Sequence, residues 1–421
     1  MLKRFSPDYF RGLPREVGVL AAIAFCVALG FGILIPAIPV FARSFDVSAL
    51  EASAVVSVFA LVRLISAPIA GAMVNRAGER TVLSSGLLIV AISSVAAGLS
   101  QNFGQLIVLR GIGGLGSSMF TVSAMALLLR VVDQDQRGRA SSVYQSGFLI
   151  GGVAGPALGG LVVGISIRAP FFVYAGTLAI ASVVALVFLA NARLHELEAK
   201  VAGPEVDRME KLVEAARNPA YRAAVLVNLM TGFVTLGLRS SAIPLFVVEG
   251  MRRGPSLTGY GFLVAAALQA IFLLPAGRMT DTAGRRRAMK VGSWMLLIGM
   301  LLLTVTDFIV NGIGHDAALA VVLFFIALAI QGVAGAYFAS APSAVIGDVI
   351  GGQRGGIVVA AYQMASDLGI VMGPLMAGLL IDYLDFDWAF AIAALLVVPV
   401  LIAVYRMPET LQKKSSAVVA A

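Results

Sequence analysis

The stretch "QRGRASSVYQSGFLIGGVAGPALGG", residues 136–160, decides the fold once it is laid beside "QRGGIVVAAYQMASDLGIVMGPLMAG", residues 353–378. Tyr144-Gln145 falls on Tyr362-Gln363, Gly151 on Gly369, and Gly155-Pro156 on Gly373-Pro374. Glycine costs a helix interior about 1 kcal/mol and proline about 3 kcal/mol. Two apolar runs that carry both at matched spacing therefore answer to something stronger than helix propensity. The repetition reaches further. "APIAGAMVNRAGER" (67–80) matches "LPAGRMTDTAGRR" (274–286), with Gly71 on Gly277 and Gly78 on Gly284, and "IPVF" (38–41) matches "IPLF" (243–246). The chain reads as two copies of one plan in the same order.

Composition says where that plan lives. Of 421 residues, 59% are hydrophobic and 13% charged, whereas soluble domains are about 45–50% apolar and about 25% charged. A membrane span needs roughly 20 apolar residues, and twelve such runs occur: 17–42, 50–74, 80–100, 105–130, 140–165, 169–191, 221–248, 256–279, 288–309, 317–346, 356–381 and 387–406. The expectation is an all-α polytopic membrane protein with twelve transmembrane helices in two pseudo-symmetric six-helix bundles. The bundles cover 1–191 and 221–421. Between them, 192–220 is a charged, helix-prone cytoplasmic linker broken at Gly203-Pro204.

The net charge of +8 is a topology signal. Most of the 31 basic residues fall in the segments on one side, whereas the opposite loops hold Arg43, Arg168, Arg252 and Arg253. Basic loops stay in the cytoplasm, so both termini are expected there, in a multi-pass protein of the plasma (bacterial inner) membrane. The basic balance then needs no nucleic-acid partner. The N-terminal "MLKRFSPDYFRGLPRE" lacks a cleavage-type signal and leads into a first span longer than a signal-peptide core.

Cys26 alone excludes a disulfide framework and a cysteine metal cluster. His195 and His315 fall in loops on opposite sides, so no catalytic or metal-ligating set converges, and no P-loop occurs. The expectation is a transporter: no enzyme, no cofactor, no resident metal.

At these residues the chain resembles the major facilitator superfamily, most closely its twelve-span drug:proton antiporter branch. The family's loop motif after span 2, G-x-x-x-D-R-x-G-R-R/K, is met by Gly71, Arg76, Gly78 and Arg80, with Asn75 for the aspartate and Glu79 for a basic residue. Its second copy keeps Gly277, Asp281, Gly284, Arg285 and Arg286. The resemblance implies charged latches on the inner face, weakened in the first copy and intact in the second. The span 4 motif is partly met by Arg110, which the family links to proton transfer, with Gly113 in place of a glutamine. The span 5 exporter motif, G-x-x-x-G-P-x-x-G-G, is met throughout by Gly151, Gly155, Pro156, Gly159 and Gly160. With Gly369, Gly373 and Pro374 these form the expected helix interfaces. In the resembled fold span 5 meets span 8, so the motif is expected to be a bearing surface between the halves. The resemblance also implies a monomer.

An ionisable residue inside a span is a functional hypothesis by default. Arg63 and Asp367 each lie about 11 residues from the inner end of spans 2 and 11, roughly 16 Å deep at 1.5 Å per residue. That is near the middle of a core about 30 Å thick. In the resembled fold spans 2 and 11 face each other, so Arg63 and Asp367 are candidates for a pair that forms in one conformation. A nearby arginine lowers a carboxyl's proton affinity, so parting them would couple protonation to movement. The repeat places Arg63 on Gln269, Arg110 on Gln331 and Asp367 on Leu149, so each charge belongs to one half only.

Proton-coupling candidates are thus Asp367, Arg63 and Arg110. Cavity candidates are Tyr144, Gln145, Asn228, Arg239, Gln269, Gln331, Tyr362 and Gln363. Three arginines against one aspartate, and no acid in "LAAIAFCVALGFGILIPAIPVFA" of span 1, favour a neutral, zwitterionic or anionic amphiphile. The expected activity is export of a small hydrophobic or amphiphilic compound against protons by alternating access, of the multidrug efflux type. Import or facilitated passage of a polar metabolite, and lipid or glycolipid export, are the alternatives.

Overall fold

The computed structural model describes residues 13–132, 137–189, 208–314, 317–350 and 356–411. His195, His315 and residues 192–207 of the expected linker lie outside them. Among the described residues, twelve helices are long and apolar enough to cross a membrane: Arg15–Arg43, Ala49–Ala77, Glu79–Gly98, Phe103–Leu128, Val143–Ile165, Ala169–Phe188, Pro219–Gly250, Ser256–Thr282, Arg285–Ile313, Ala318–Ile350, Val358–Tyr383 and Phe386–Arg406. They are spans 1 to 12. Their ends agree with the apolar runs to about a turn. Several continue past the run because a backbone leaving the hydrocarbon still profits from internal hydrogen bonds. A short helix, Arg208–Arg217, precedes span 7.

Local chemistry sets the span ends. Ser48 and Glu51 form a reciprocal capping box at span 2. Asn102 accepts from the Gln105 N–H at span 4, and Asn218 accepts from the Ala220 N–H, with Pro219 opening span 7. Gly78 and Gly284, equivalent in the repeat, turn the chain between spans 2 and 3 and between spans 8 and 9, with φ of 80° and 115°. That left-handed region favours glycine.

Two spans leave regular α geometry. Span 1 tightens to a 3-10 turn over Ile35–Ala37, where Pro36 and Pro39 supply no N–H. Span 7 is α-helical over Pro219–Met230, widens to a π-helix over Thr231–Leu238, returns to α over Arg239–Leu245 and widens again over Phe246–Gly250. The Arg239 N–H reaches the Val234 carbonyl five residues back. Such π segments are rare and gather at functional sites.

The chain divides into two compact units: Met1–Gly203 with Ser240–Leu263, and Pro204–Arg239 with Val264–Ala421. The later part of span 7 and the start of span 8 thus group with the first unit. That unit's core gathers Leu20, Ile23, Leu34, Phe41, Leu83, Leu87, Leu106 and Phe171. Outward-facing surfaces are apolar instead of polar: Ile65 is 64% exposed, Ile92 61% and Phe308 73%. Large apolar patches of this kind belong against lipid.

Candidate functional site

In the first unit, spans 2 and 4 cross closely. A Cβ on Gly114 would lie 2.4 Å from the Phe59 carbonyl oxygen and 3.2 Å from the Arg63 nitrogen, and the Ser66 and Ser118 hydroxyls meet at 2.7 Å. One turn before Gly114 stands Arg110, only 2% exposed. Its guanidinium sits 4.4 Å from the centroid of the Phe59 ring, and its Nε–H has no hydrogen-bond partner among the described residues. Phe59 stacks on Phe31 at 6.3 Å, and Phe31 meets Tyr174 at 6.2 Å. A buried charge without a carboxylate partner is expensive. An aromatic face offsets part of that cost and leaves the cation able to attract an anionic or π-rich group. Arg63 is half-buried on the same crossing. Tyr144 is buried, edge-on to Phe148 at 5.3 Å, whereas Gln145 is exposed.

The second unit repeats the crossing with amides instead of arginines. A Cβ on Gly332 would lie 2.1 Å from the Ala265 carbonyl oxygen, and one on Gly335 would lie 3.1–3.4 Å from the Gln269 amide. Gln331 is 1% exposed, and neither its oxygen nor its nitrogen has a partner among the described residues. Asn228 is committed elsewhere: its amide donates to the Tyr362 carbonyl at 2.7 Å and ties span 7 to span 11. Tyr362 is buried and Gln363 exposed, as at the repeat-related Tyr144 and Gln145. Asp367 is half-buried, one residue after Ser366, whose carbonyl oxygen would lie 2.0 Å from a Cβ on Gly232. The helical turn that carries Asp367 therefore rests on the π segment of span 7. Arg239, half-buried, follows that segment directly.

The glycine motif corrects an expectation. Cβ atoms on Gly151, Gly155 and Gly159 would strike the backbone of span 1: the Phe25 oxygen at 2.5 Å, the Leu29 oxygen at 2.6 Å and the Ile33 Cα at 3.0 Å. Span 5 thus turns this stripe to span 1 of its own bundle and not to span 8. The expected contact with span 8 is made beside the stripe: a Cβ on Gly259 would lie 2.1 Å from the Gly160 Cα and 3.4 Å from the Pro156 oxygen, and one on Gly164 would lie 2.9 Å from the Ser256 hydroxyl. Residues at i and i+4 share a face and the next residue does not. The contact recurs in the second unit. A Cβ on Gly32 of span 1 would lie 2.8 Å from the Pro156 Cδ, and one on Gly237 of span 7 would lie 2.9 Å from the Pro374 Cδ. Gly369 and Gly373 lie against Leu229 and Phe233.

The loop motif also departs from expectation. Glu79 is 6% exposed and accepts from Arg130 Nη1 at 2.8 and 3.0 Å, so the first copy holds a paired carboxylate where a weakened latch was implied. Arg80 donates to the Leu186 carbonyl at 2.6 Å, while Asn75 and Arg76 are exposed. In the second copy Arg285 donates to Asp281 at 3.0 Å, to Asp348 at 3.2 Å and to the Thr280 carbonyl at 2.6 Å. Arg286 donates to the Tyr405 carbonyl. Side chains on Gly71 or Gly277 would meet nothing within 4 Å.

Reading the sequence missed a forked ion pair where spans 1 and 7 end. Arg43 donates to both Glu249 oxygens, at 2.6 and 2.8 Å, and also to the Val47 carbonyl. Both charges look like ordinary loop residues, and only an unexplained outer arginine beside an outer glutamate hinted at them. Phe59 as the platform for Arg110 was missed as well, since one phenylalanine among apolar neighbours carries no signal.

A model of the Major Facilitator Superfamily matches residues 20–267 and 229–420. Multidrug resistance protein 2 of Bacillus subtilis (strain 168) is 24% identical over 389 residues, covering 90% of this chain and 92% of that protein. Quinolone resistance protein NorA of Staphylococcus aureus (strain MSSA476) is 24% identical over 379 residues, covering 87% and 90%. Among solved structures, a bacterial homolog of the human lysosomal transporter Spinster, inward-facing and unoccupied, superposes with a TM-score of 0.69 at 15% identity over 95% of both chains. That resemblance speaks to fold alone. With the family model matching both halves and twelve spans in place, the chain belongs to the Major Facilitator Superfamily of membrane transporters.

Proposed function

We propose that the protein exports a small hydrophobic or amphiphilic compound from the cytoplasm across the plasma membrane in exchange for protons, by alternating access. The observation that carries this reading is the match, along 90% of the chain, to a protein named for multidrug resistance. The sequence motif of exporters in span 5 supports it. The cargo is neutral, zwitterionic or anionic. Arg110, buried on an aromatic face with an unsatisfied donor, would repel a cation and attract an anionic or aromatic headgroup. Gln331, with both amide atoms unsatisfied, offers neutral hydrogen bonding in the other unit.

Asp367 is the proton carrier of this scheme. Its protonation permits one state, and its ionised form favours the other through attraction to Arg63. Gln145 and Gln363, exposed amides at the matching ends of spans 5 and 11, line the path of the cargo. The two inner loop motifs hold the inner side closed in turn. The test is efflux of a hydrophobic dye from sealed vesicles. Transport should follow an imposed pH gradient, collapse on adding a protonophore, and lose its uphill component in Asp367→Asn. Uphill transport by that variant would remove Asp367 from the mechanism. Indifference of the wild type to the gradient would turn the exporter into a facilitator.

A further inference from the structure

One face of the second unit carries a pattern that the cargo path and the ion pairs of the loop motif do not explain. Along span 9, Arg286, Lys290, Trp294 and Ile298 recur every four residues and so form one stripe. Trp294 is 45% exposed and Ile298 39%. Span 12 runs alongside. The Trp294 indole donates to the Tyr405 hydroxyl at 3.1 Å, and the Lys290 ammonium lies 3.9 Å from the centre of the Tyr405 ring. Arg286 donates to the Tyr405 carbonyl, and its Nε–H, shut from solvent, finds no acceptor among the described residues. Of the carboxylates at this end, Glu409 accepts from the backbone N–H groups of Arg285 and Arg286 at 2.8 and 3.2 Å, and Asp281 and Asp348 accept from the Arg285 side chain. Arg287 and Arg406 add exposed positive charge beside the stripe. Ile402 and Leu395 continue the exposed apolar face on span 12.

The order along the stripe is cation, aromatic, aliphatic, from the span end towards the middle of the bilayer. A phospholipid presents phosphate, glycerol and ester groups, and acyl chain in the same order. Tryptophan and tyrosine favour the level between headgroup and hydrocarbon, and basic pockets between helices near a membrane surface hold anionic headgroups.

We propose that the groove between spans 9 and 12 binds one anionic phospholipid, its phosphate held by Arg286 and Lys290 and its acyl chain lying along Trp294, Ile298 and Ile402. A zwitterionic lipid fits the same hydrocarbon contacts, but its choline opposes the field of four cations. The selectivity therefore rests on net headgroup charge.

The test uses the purified full chain in detergent, incubated with equal amounts of phosphatidylglycerol and phosphatidylcholine of matched acyl chains. The lipids that stay bound are counted on the intact complex by mass spectrometry. Wild type should retain phosphatidylglycerol over phosphatidylcholine by about thirtyfold, the scale expected when two cations act near a membrane surface. Arg286→Gln/Lys290→Gln should bring the ratio to about one. Arg222→Gln, which removes an exposed cation at the start of span 7, should leave it unchanged. Equal retention by wild type, or an undiminished ratio in the double variant, overturns the proposal. Displacement of phosphatidylglycerol by millimolar inorganic phosphate overturns it too, since the groove would then be a free-anion site. Should the double variant not fold, salt decides on wild type alone: the ratio must fall towards one in 1 M salt, and a salt-independent ratio refutes a headgroup held by charge.

Discussion

The loop motifs of the two halves share one turn and one contact but reverse its charge. In both, a positive-φ glycine, Gly78 or Gly284, ends one span and opens the next. In both, the first residue of the new helix forms an ion pair with the C-terminal end of the following span. Glu79 reaches Arg130 in the first copy, and Arg285 reaches Asp348 in the second. The shared plan therefore asks for an ion pair between those two places and does not fix which side is acidic. A motif read as residue identity scores Glu79 as a defect. Read as a contact, Glu79 makes the same ion pair with its sign inverted.

Burial separates the two copies. The Glu79 side chain is 8% exposed and Arg130 24%, whereas Asp281 is 70% exposed and Asp348 29% around Arg285. Breaking one partner of a buried pair costs about 3–5 kcal/mol, because the other charge is left in a poor solvent for it. With Arg130 partly open, Glu79→Lys should lose about 3 kcal/mol of stability, read as earlier thermal unfolding in detergent. Glu79→Arg/Arg130→Glu then asks whether sign matters. Recovery of most of the loss would show that contact alone is needed. No recovery would show that the first copy requires its inverted polarity.

The glycine crossings compare the same two regions at a deeper level. Span 5 lies on span 1 so closely that a Cβ on Gly155 would meet the Leu29 oxygen at 2.6 Å and the Gly32 Cα at 2.8 Å. Backbone cannot step aside as a flexible side chain can, so Gly155→Ala should cost about 1–3 kcal/mol through overpacking. Gly155→Leu should stall dye efflux while the protein still inserts. A Cβ on Gly152, one residue after Gly151 and off the stripe, would meet nothing within 4 Å, so Gly152→Ala should be neutral or stabilise by up to about 1 kcal/mol. Equal losses at the two positions would mean that helix propensity, not close approach, placed these glycines.

Much of this architecture is visible in the residues. Twelve spans follow from apolar runs, because a bilayer demands length and apolarity with little regard to detail. The repeat follows from glycines and prolines, because they stand where helices cross or turn. The partners of those surfaces are not visible. A stripe such as Gly151, Gly155 and Gly159 announces close approach but does not say to what, and span 1 answers with a single glycine, Gly32. The π segments of span 7 are equally silent, since a helix apolar nearly all round shows no periodicity to tell one winding from another. Ion pairs across long separations, Glu79 with Arg130 and Arg43 with Glu249, need the fold before they can be paired. The unsatisfied amide of Gln331 is marked in the sequence only by its repeat partner, Arg110.

The second ion pair should be the weaker of the two, and salt should distinguish them. Asp281 sits largely in solvent, where ion pairs contribute about 0–1 kcal/mol, so Asp281→Asn should leave unfolding nearly unchanged. Asp348 is more enclosed and also accepts from the Thr410 hydroxyl at 2.8 Å. Asp348→Asn should therefore cost more than Asp281→Asn, yet remain near 1 kcal/mol, because Arg285 keeps the Thr280 carbonyl and Asp281 as acceptors. The Debye length shrinks from about 10 Å at 0.1 M salt to about 3 Å at 1 M, and exposed pairs are screened far more than buried ones. The difference between wild type and Asp348→Asn should thus fade in 1 M salt, while that between wild type and Glu79→Lys persists. A salt-insensitive loss at Asp348 would show that the second copy is as dry as the first, and the contrast between the two ion pairs would then reduce to sign alone.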